Sequence, residues 1–376
     1  MIQNLKRRLA PYYRNLGGWR TKRRLVVIES DDWGSIRMPS REVYEWCLKS
    51  GYPVDQTAFE RYDSLLSETD LELLFDALSA LTDRRGRHPV INANTIMGNP
   101  DFNAIAESGY ARYAYEPIRA TFARYPQHAN CLDLWAEGQR QGVFFPQFHG
   151  REHLNVGLFM QALQAGDPVA RFAFDNQMPG CIPHGPVRGP NKYVETTRFF
   201  SAETKAEVLK SQLEGLAMFE AEFGFRSRTL IPTNYVWSSD FDSAVAEQGV
   251  EAFQGARVMK EQSIDGTSRP VKRHLGQRNA AGQTYLVRNA TFEPSQSTAP
   301  RMEAAERCLQ EISAAFRMGK PAIISSHRIN FCGFIDESNR DQNLRALNAL
   351  LTAVVRKWPD VEFVTSVELL DIMNGR

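Results

Sequence analysis

A chain of 376 residues with 43% hydrophobic and 24% charged residues has ample material for one large domain or two ordinary ones. Its net charge of +1 argues against a nucleic-acid-coating protein, and five scattered cysteines without a CxxC pair argue against a disulfide framework. No apolar run approaches the roughly 20 residues of a membrane span and no signal-peptide core follows the basic start, so a cytoplasmic protein is expected.

The first 24 residues carry eight Lys/Arg and no acid, which leaves a net charge of −7 on the other 352. Leu5, Leu9, Tyr12, Tyr13 and Leu16 fall at helical spacings there, interrupted by Pro11. Such an extension either packs its leucines on the body or lies as a basic amphipathic anchor on the anionic inner membrane face. Leu25-Val26-Val27-Ile28 then reads as a strand buried on both faces. It ends in Asp31-Asp32-Trp33-Gly34, a carboxylate pair suited to one cation and one proton, or in plainer terms a solvated turn.

Ser40 to Lys49 reads as a helix with Ser40 as N-cap and Val43, Trp46 and Cys47 on one face. Residues 51–62 look irregular. Ser67 opens a helix carrying Leu71, Leu74, Phe75, Leu78 and Leu81, and His88 to Thr95 is a second buried strand. Asn92, Asn94 and Asn99 near its end are candidates for lining a cleft. The Tyr- and Arg-rich stretch from Tyr110 to Tyr125 supplies either a sugar-stacking wall or ordinary packing. After a helix from Asn130 to Gln141, the strand Gly142 to Phe148 delivers His149-Gly150-Arg151-Glu152-His153.

From Asp167 to Arg198 the chain is rich in Pro and Gly and reads as loop, with His184 inside it. A helix from Ser201 to Phe223, a strand from Arg228 to Pro232 and a helix from Asp240 to Gly249 follow. Asp265 to Thr284 reads as an exposed hairpin. Arg301 to Met318 is a helix, Pro321 to His327 a buried strand ending in histidine, Arg340 to Lys357 the last helix, and Val361 to Thr365 the last strand. Strands alternating with helices imply a parallel sheet or barrel, whose strand ends carry the binding groups. Asp31/Asp32, His149/His153 and His327 all sit at such ends, and two His plus one carboxylate suit one divalent ion.

The order Asp31-Asp32, His149-x-x-x-His153, Ile324-x-x-His327 and Phe363-Val364-Thr365-x-x-Glu368-Leu369-Leu370 resembles the polysaccharide deacetylase (NodB-homology) family, which includes carbohydrate esterase family 4. The resemblance runs from about Leu25 to Leu370. It implies a distorted, incomplete (β/α) barrel over 25–376, behind a basic extension over 1–24, with insertions at about 35–88, 155–200 and 255–300. It also implies Asp31 as catalytic base, Asp32, His149 and His153 as ligands of one zinc ion (or cobalt, nickel or manganese), and His327 as general acid. Trp33, Asn92, Asn94, Arg151, Asn234, Tyr235, Trp237 and Arg328 are then the substrate-binding candidates, with a backbone N–H near Tyr235 serving the oxyanion.

The motifs also depart from the family. Its first motif usually reads Thr-Phe-Asp-Asp-Gly, whereas Glu29-Ser30 precede the pair here and Gly34 comes one residue late. Gly150 replaces the usual Ser or Thr after the first ligand His. Leu230-Ile231-Pro232-Thr233-Asn234-Tyr235 stands for an Arg-Pro-Pro-Tyr-like loop without its Arg, leaving Arg151 or Arg328 to brace the base. The fourth motif has no clear counterpart. A deacetylase of an acetylated sugar inside the cell is expected, acting on an intermediate of surface polysaccharide; a glycan- or metal-binding module and a hydrolase of another amide, such as a deformylase, are the rivals.

Overall fold

The computed structural model describes residues 9–180 and 192–376; Leu5, Cys181 and His184 lie outside them, as does the start of the basic extension. The apolar run at Leu25–Ile28 becomes the central strand β1 (Arg24–Trp33), buried along almost its whole length because it has neighbours on both edges and helices on its faces. The other strands of its sheet are β2 (Ile91–Ile96), β3 (Phe144–Gly150), β4 (Thr229–Leu230), β5 (Ala252–Gly255), β6 (Thr284–Val287), β7 (Ala290–Thr291), β8 (Ala322–His327) and β9 (Val361–Phe363). They lie in the order β6-β5-β4-β3-β2-β1-β8-β7, with β9 also on β1, and every pairing is parallel. One segment, Thr284 to Thr291, pairs with β5 through β6 and with β8 through β7, so the sheet curls into a distorted, incomplete (β/α) barrel.

The longer helices are α1 (Arg41–Lys49), α2 (Glu68–Ser79), α3 (Cys131–Gln141), α4 (Val156–Gln164), α5 (Pro168–Asp175), α6 (Ala202–Phe223), α7 (Arg301–Arg317), α8 (Glu337–Lys357) and α9 (Ser366–Met373). Their starts follow local chemistry. Ser67 with Asp70, Ser201 with Thr204 and Thr365 with Glu368 each form a reciprocal cap, satisfying amides that the first turn leaves open. Behind the sheet lies one large apolar core; a second, smaller one joins Ile36, Phe102, Leu154, Phe159, Leu163 and Phe174 beneath α4 and α5.

Several sequence expectations are corrected. The stretch 51–62 contains the helix Ala58–Tyr62, and the supposed loop from Asp167 holds α5, with Pro168 in its first turn and Asp167 capping it. Trp46 is 50% exposed, because Cys47 is the buried residue of α1. The hairpin is formed by Val258–Gln262 and Ser268–Lys272, and the chain after it returns to the sheet as β6. In the N-terminal segment residues 9–14 are helical, but Leu9, Tyr13 and Leu16 face solvent. Polar groups dock it instead: Arg14 pairs with Glu311 at 2.7 Å, and Lys320 donates to the carbonyls of Gly17 and Gly18. Among the described residues no helix is long and apolar enough to cross a membrane.

Gly34, one residue after β1, has φ +82°, and a Cβ there would lie 2.4 Å from Ile118 Cδ1 and 2.7 Å from the Ile96 carbonyl oxygen. Both the left-handed backbone and the close approach require glycine. Gly34→Ala is expected to lower stability by about 2 kcal/mol in urea unfolding, and a midpoint unchanged from wild type would contradict this packing.

Candidate metal and acid–base site

In a regular strand, consecutive side chains point to opposite faces, so Asp31 and Asp32 should not share one site. The structure resolves this with a bulge. The β1–β2 register shifts between Ser30 and Trp33, and Asp32 takes a left-handed conformation at φ 74°, which Asp tolerates better than most residues. Both carboxylates thereby reach the rim at the carboxyl ends of the strands, while Trp33 turns down into the core.

Asp32 meets the two imidazoles. Its Oδ1 lies 3.3 Å from His149 Nε2 and 3.1 Å from His153 Nε2. His149 Nδ1–H donates to the Ile231 carbonyl at 2.8 Å, which orients the ring with Nε2 toward Asp32. His149 Nε2, His153 Nε2 and the Asp32 oxygen face one another, an arrangement that could hold a cation between them. Donors bound about 2.0–2.2 Å from one ion at a roughly tetrahedral angle lie about 3.3–3.6 Å apart, and the separations of 3.3 and 3.1 Å are near that spacing, so the residues fit one small divalent ion. Among the described residues these three side chains form the cluster able to hold a metal. Arg37 Nη2 sits 3.3 Å from Asp32 Oδ2 and 3.3 Å from His153 Nδ1, a resident positive charge at the edge of the triad. Burial would raise the Asp32 carboxyl, but His153, His149 and Arg37 together hold it well below its usual value. Burial pushes His153 down to about 4 against the pull of Asp32.

Gly150 explains the departure after the first ligand. Its φ is +142°, and a Cβ would come within 3.2 Å of the Glu152 carbonyl oxygen, so the turn between the two histidines takes no side chain. The Arg151 carbonyl accepts from the N–H of Met97 at 3.1 Å and of Gly98 at 2.7 Å, which ties this turn to the end of β2.

Asp31 lies opposite His327 in the β1–β8 register. Arg288 forks onto it with Nη1 to Oδ2 at 2.7 Å and Nη2 to Oδ1 at 2.6 Å, and Asn94 Nδ2 donates to Oδ1 at 2.7 Å. The same guanidinium donates from Nε to the buried Glu29 at 2.7 Å. Burial would raise the Asp31 carboxyl, but Arg288 outweighs it and lowers the pKa to about 2. His327 Nε2 is 3.8 Å from Asp31 Oδ2, and its Nδ1–H donates to Glu293 Oε1 at 2.6 Å. Burial would lower this imidazole; Glu293, with Asp31 and Asp32 behind it, raises it to about 10. At neutral pH the pair is therefore a carboxylate and an imidazolium, pushed apart by their surroundings as an acid and a base must be.

The raised His327 value has a consequence for stability. Its ion pair contributes fully below the ordinary histidine value of about 6.5, and the contribution is lost as pH rises through about 10. Urea midpoints of wild type and Glu293→Gln measured from pH 6 to pH 10.5 should converge at the upper end; a constant gap would refute the assignment.

The remaining sequence candidates fall into two groups. Asn94 belongs to the site through Asp31, and Tyr235 through its hydroxyl, 3.4 Å from Arg288 Nη1. Trp33, with Nε1–H on Ser30 Oγ and its rings against Trp135 and Phe144, is core, as is Trp237, bonded to Asp242. Asn92 spends its amide on the Ile28 carbonyl and the Ser366 N–H. Asn234 is exposed at φ 51°. The Tyr235 N–H, expected to serve an oxyanion, donates to the Pro232 carbonyl at 3.0 Å within a tight turn. Neither proposed substitute for the missing Arg braces Asp31: Arg151 pairs with Glu152 and Glu214, and Arg328 forks onto Asp63 at 2.9 and 3.3 Å. Arg288 does it instead, from the region read as an insertion. Arg288 and Glu293 were both missed, along with Arg37. Arg288 had a signal, since Thr284-Tyr285-Leu286-Val287 is an apolar strand delivering a polar residue.

No family model matches the chain, and no curated protein matches it in sequence. Among solved structures, a 4-alpha-glucanotransferase from Thermococcus litoralis is similar over 93% of this chain at 10% identity and TM-score 0.45; this chain spans only 40% of that protein. A Mycobacterium smegmatis protein described as a polysaccharide deacetylase is similar over 96% of this chain and 93% of its own, at 10% identity and TM-score 0.42. A de-N-acetylase from Aggregatibacter actinomycetemcomitans covers 71% of this chain and 94% of its own, at 12% identity and TM-score 0.24. These likenesses are too distant to carry an activity to this chain.

Proposed function

We propose that this protein is a metal-dependent hydrolase that removes the acetyl group from an acetylated sugar, cleaving a C–N amide bond, in the making of a surface polysaccharide. The observation that carries the reading is geometric: Asp31, forked by Arg288, stands 3.8 Å from His327, itself held by Glu293, beside the Asp32–His149–His153 triad. A divalent ion held by that triad would supply Lewis-acid polarisation of a water and of the acyl oxygen, making the water acidic enough for a base held as low as Asp31.

The side chains divide the rest of the work. Asp31, oriented by Arg288 and Asn94, takes the proton of the water whose oxygen adds to the acyl carbon. As the C–N bond breaks, His327 delivers its Nε2 proton to the leaving nitrogen while Glu293 holds Nδ1–H and the ring plane. Acetate and an amine result. A module that only binds glycan has no need of this opposed acid–base pair.

Asp31→Asn tests the reading. It removes the base and leaves the triad, so bound metal should be retained while acetate release from acetylated sugars falls by about 10²–10⁴. Undiminished release would remove Asp31 from the chemistry.

A further inference from the structure

Beside the site lies a cleft of about 980 Å³ between α4 and α6, lined by none of the five residues discussed above as ligands, base and acid. It is lined by Arg151, Leu154 and Asn155, by residues of the two helices, and by Tyr113 and Tyr115. We propose that this cleft is a second binding site, for an uncharged carbohydrate of short oligosaccharide size. The volume falls within the range of small-molecule sites.

Charge argues for a neutral ligand. Each cation in the lining is already matched. Arg151 is engaged by Glu152 and Glu214 and rests 4.2 Å over the Tyr115 ring. Arg198 pairs with Glu195 at 3.0 Å and donates to the Gly266 carbonyl, and Lys210 is 3.7 Å from Glu214. A phosphate would have to break these pairs and would meet the carboxylates of Glu207 and Glu214. Sugar hydroxyls both donate and accept, and they suit paired carboxylates and guanidinium groups without displacing either.

The rim supplies a ring to stack on. Phe200 is 46% exposed, a large apolar side chain held out in solvent at the mouth of the cleft. It is also fixed in place: a Cβ on Gly266 would come 2.4 Å from its ring, and Arg198 lies 5.5 Å over the ring. An aromatic face that is exposed yet positioned by backbone is what a pyranose C–H face packs on. Across from it, the α4 side of the cleft is backed by the small core that contains Leu154, Phe159 and Leu163. The Arg151 side chain reaches the cleft from between the two histidines, so an occupant would touch the same turn that presents the triad.

The test is calorimetric titration of the full-length protein with cellotetraose, maltotetraose and chitotetraose as neutral probes, and with a uridine-diphosphate sugar and inorganic pyrophosphate as charged ones. At least one neutral tetrasaccharide should bind, and Phe200→Ala/Glu207→Gln, both exposed positions outside the catalytic centre, should weaken it tenfold or more with bound metal unchanged. The same binding should survive in His149→Ala/His153→Ala, which keeps this result independent of whether the metal reading stands. Failure of all three neutral probes to bind, equal binding by the cleft variant, loss in the histidine variant, or tightest binding of the nucleotide sugar with pyrophosphate competing would each overturn the proposal.

Discussion

Replacing Arg288 by Met should cost about 3–5 kcal/mol of stability at pH 7, more than any other single change discussed for this protein. Arg288 is 5% exposed and neutralises two buried carboxylates at once, Glu29 through Nε and Asp31 through the fork. Met fills a similar volume and removes the charge, so two acids remain in a low-dielectric interior, with Asn94, Ser366 and His327 as their side-chain partners among the described residues. Burial already raises the Glu29 carboxyl against the opposing pull of Arg288, so Glu29 should take up a proton first in the variant. The pH dependence gives a second reading. Asp31 is depressed to about 2, so its contribution is present above its ordinary value and lost as pH falls through about 2. The gap between wild type and Arg288→Met in urea unfolding should therefore narrow toward acid. Equal midpoints at pH 7 would mean that the fork is not a structural brace. Arg288→Lys keeps the charge without the bidentate geometry and should recover only part of the loss.

The second large effect concerns metal. Purified wild type should carry about one divalent ion per chain by elemental analysis, and His149→Ala/His153→Ala should carry none. Either substitution alone removes one donor from a set of three; together they leave Asp32 facing only Arg37. Asp31→Asn serves as the control, since it alters the neighbouring carboxylate and leaves all three donors. Wild type that stays empty after incubation with zinc, cobalt and nickel would end the metal-dependent hydrolase reading, because the triad would then supply nothing to polarise the water.

The strands that proved easiest to read were those with a mostly apolar run leading to a polar group. Leu25–Ile28 before Asp31, Phe144–Phe148 before His149 and Ala322–Ile324 before His327 share that form because strands buried on both faces admit no alternation. Asp32, His149 and His153 converge in the structure as their spacing suggested. What escaped was short. β5 has four residues and β7 two, too few for a clear periodicity, and Glu293 follows β7 with nothing local to mark it. Arg288 was overlooked because a polar, glycine-containing stretch precedes its strand and made the whole region resemble an excursion. Trp33 and Trp237 lie in the core for the opposite reason: they stand beside candidate site residues in sequence, while their bulk drives them inward.

The amino-acid sequence alone determined the alternation of strands and helices, the caps at Ser67 and Ser201 and the placing of two carboxylates and three histidines at strand ends, since these follow from local periodicity and hydrogen bonding. The tertiary structure decided the rest. It turned Asp32 onto the same rim as Asp31 through a left-handed bulge, drew Arg288 and Glu293 from distant positions to set the two proton-bearing groups apart, and opened a cleft between α4 and α6. Those outcomes depend on which groups meet in a buried space, and such meetings arise only when separate segments, 34 residues apart for Glu293 and His327 and 257 for Arg288 and Asp31, pack together.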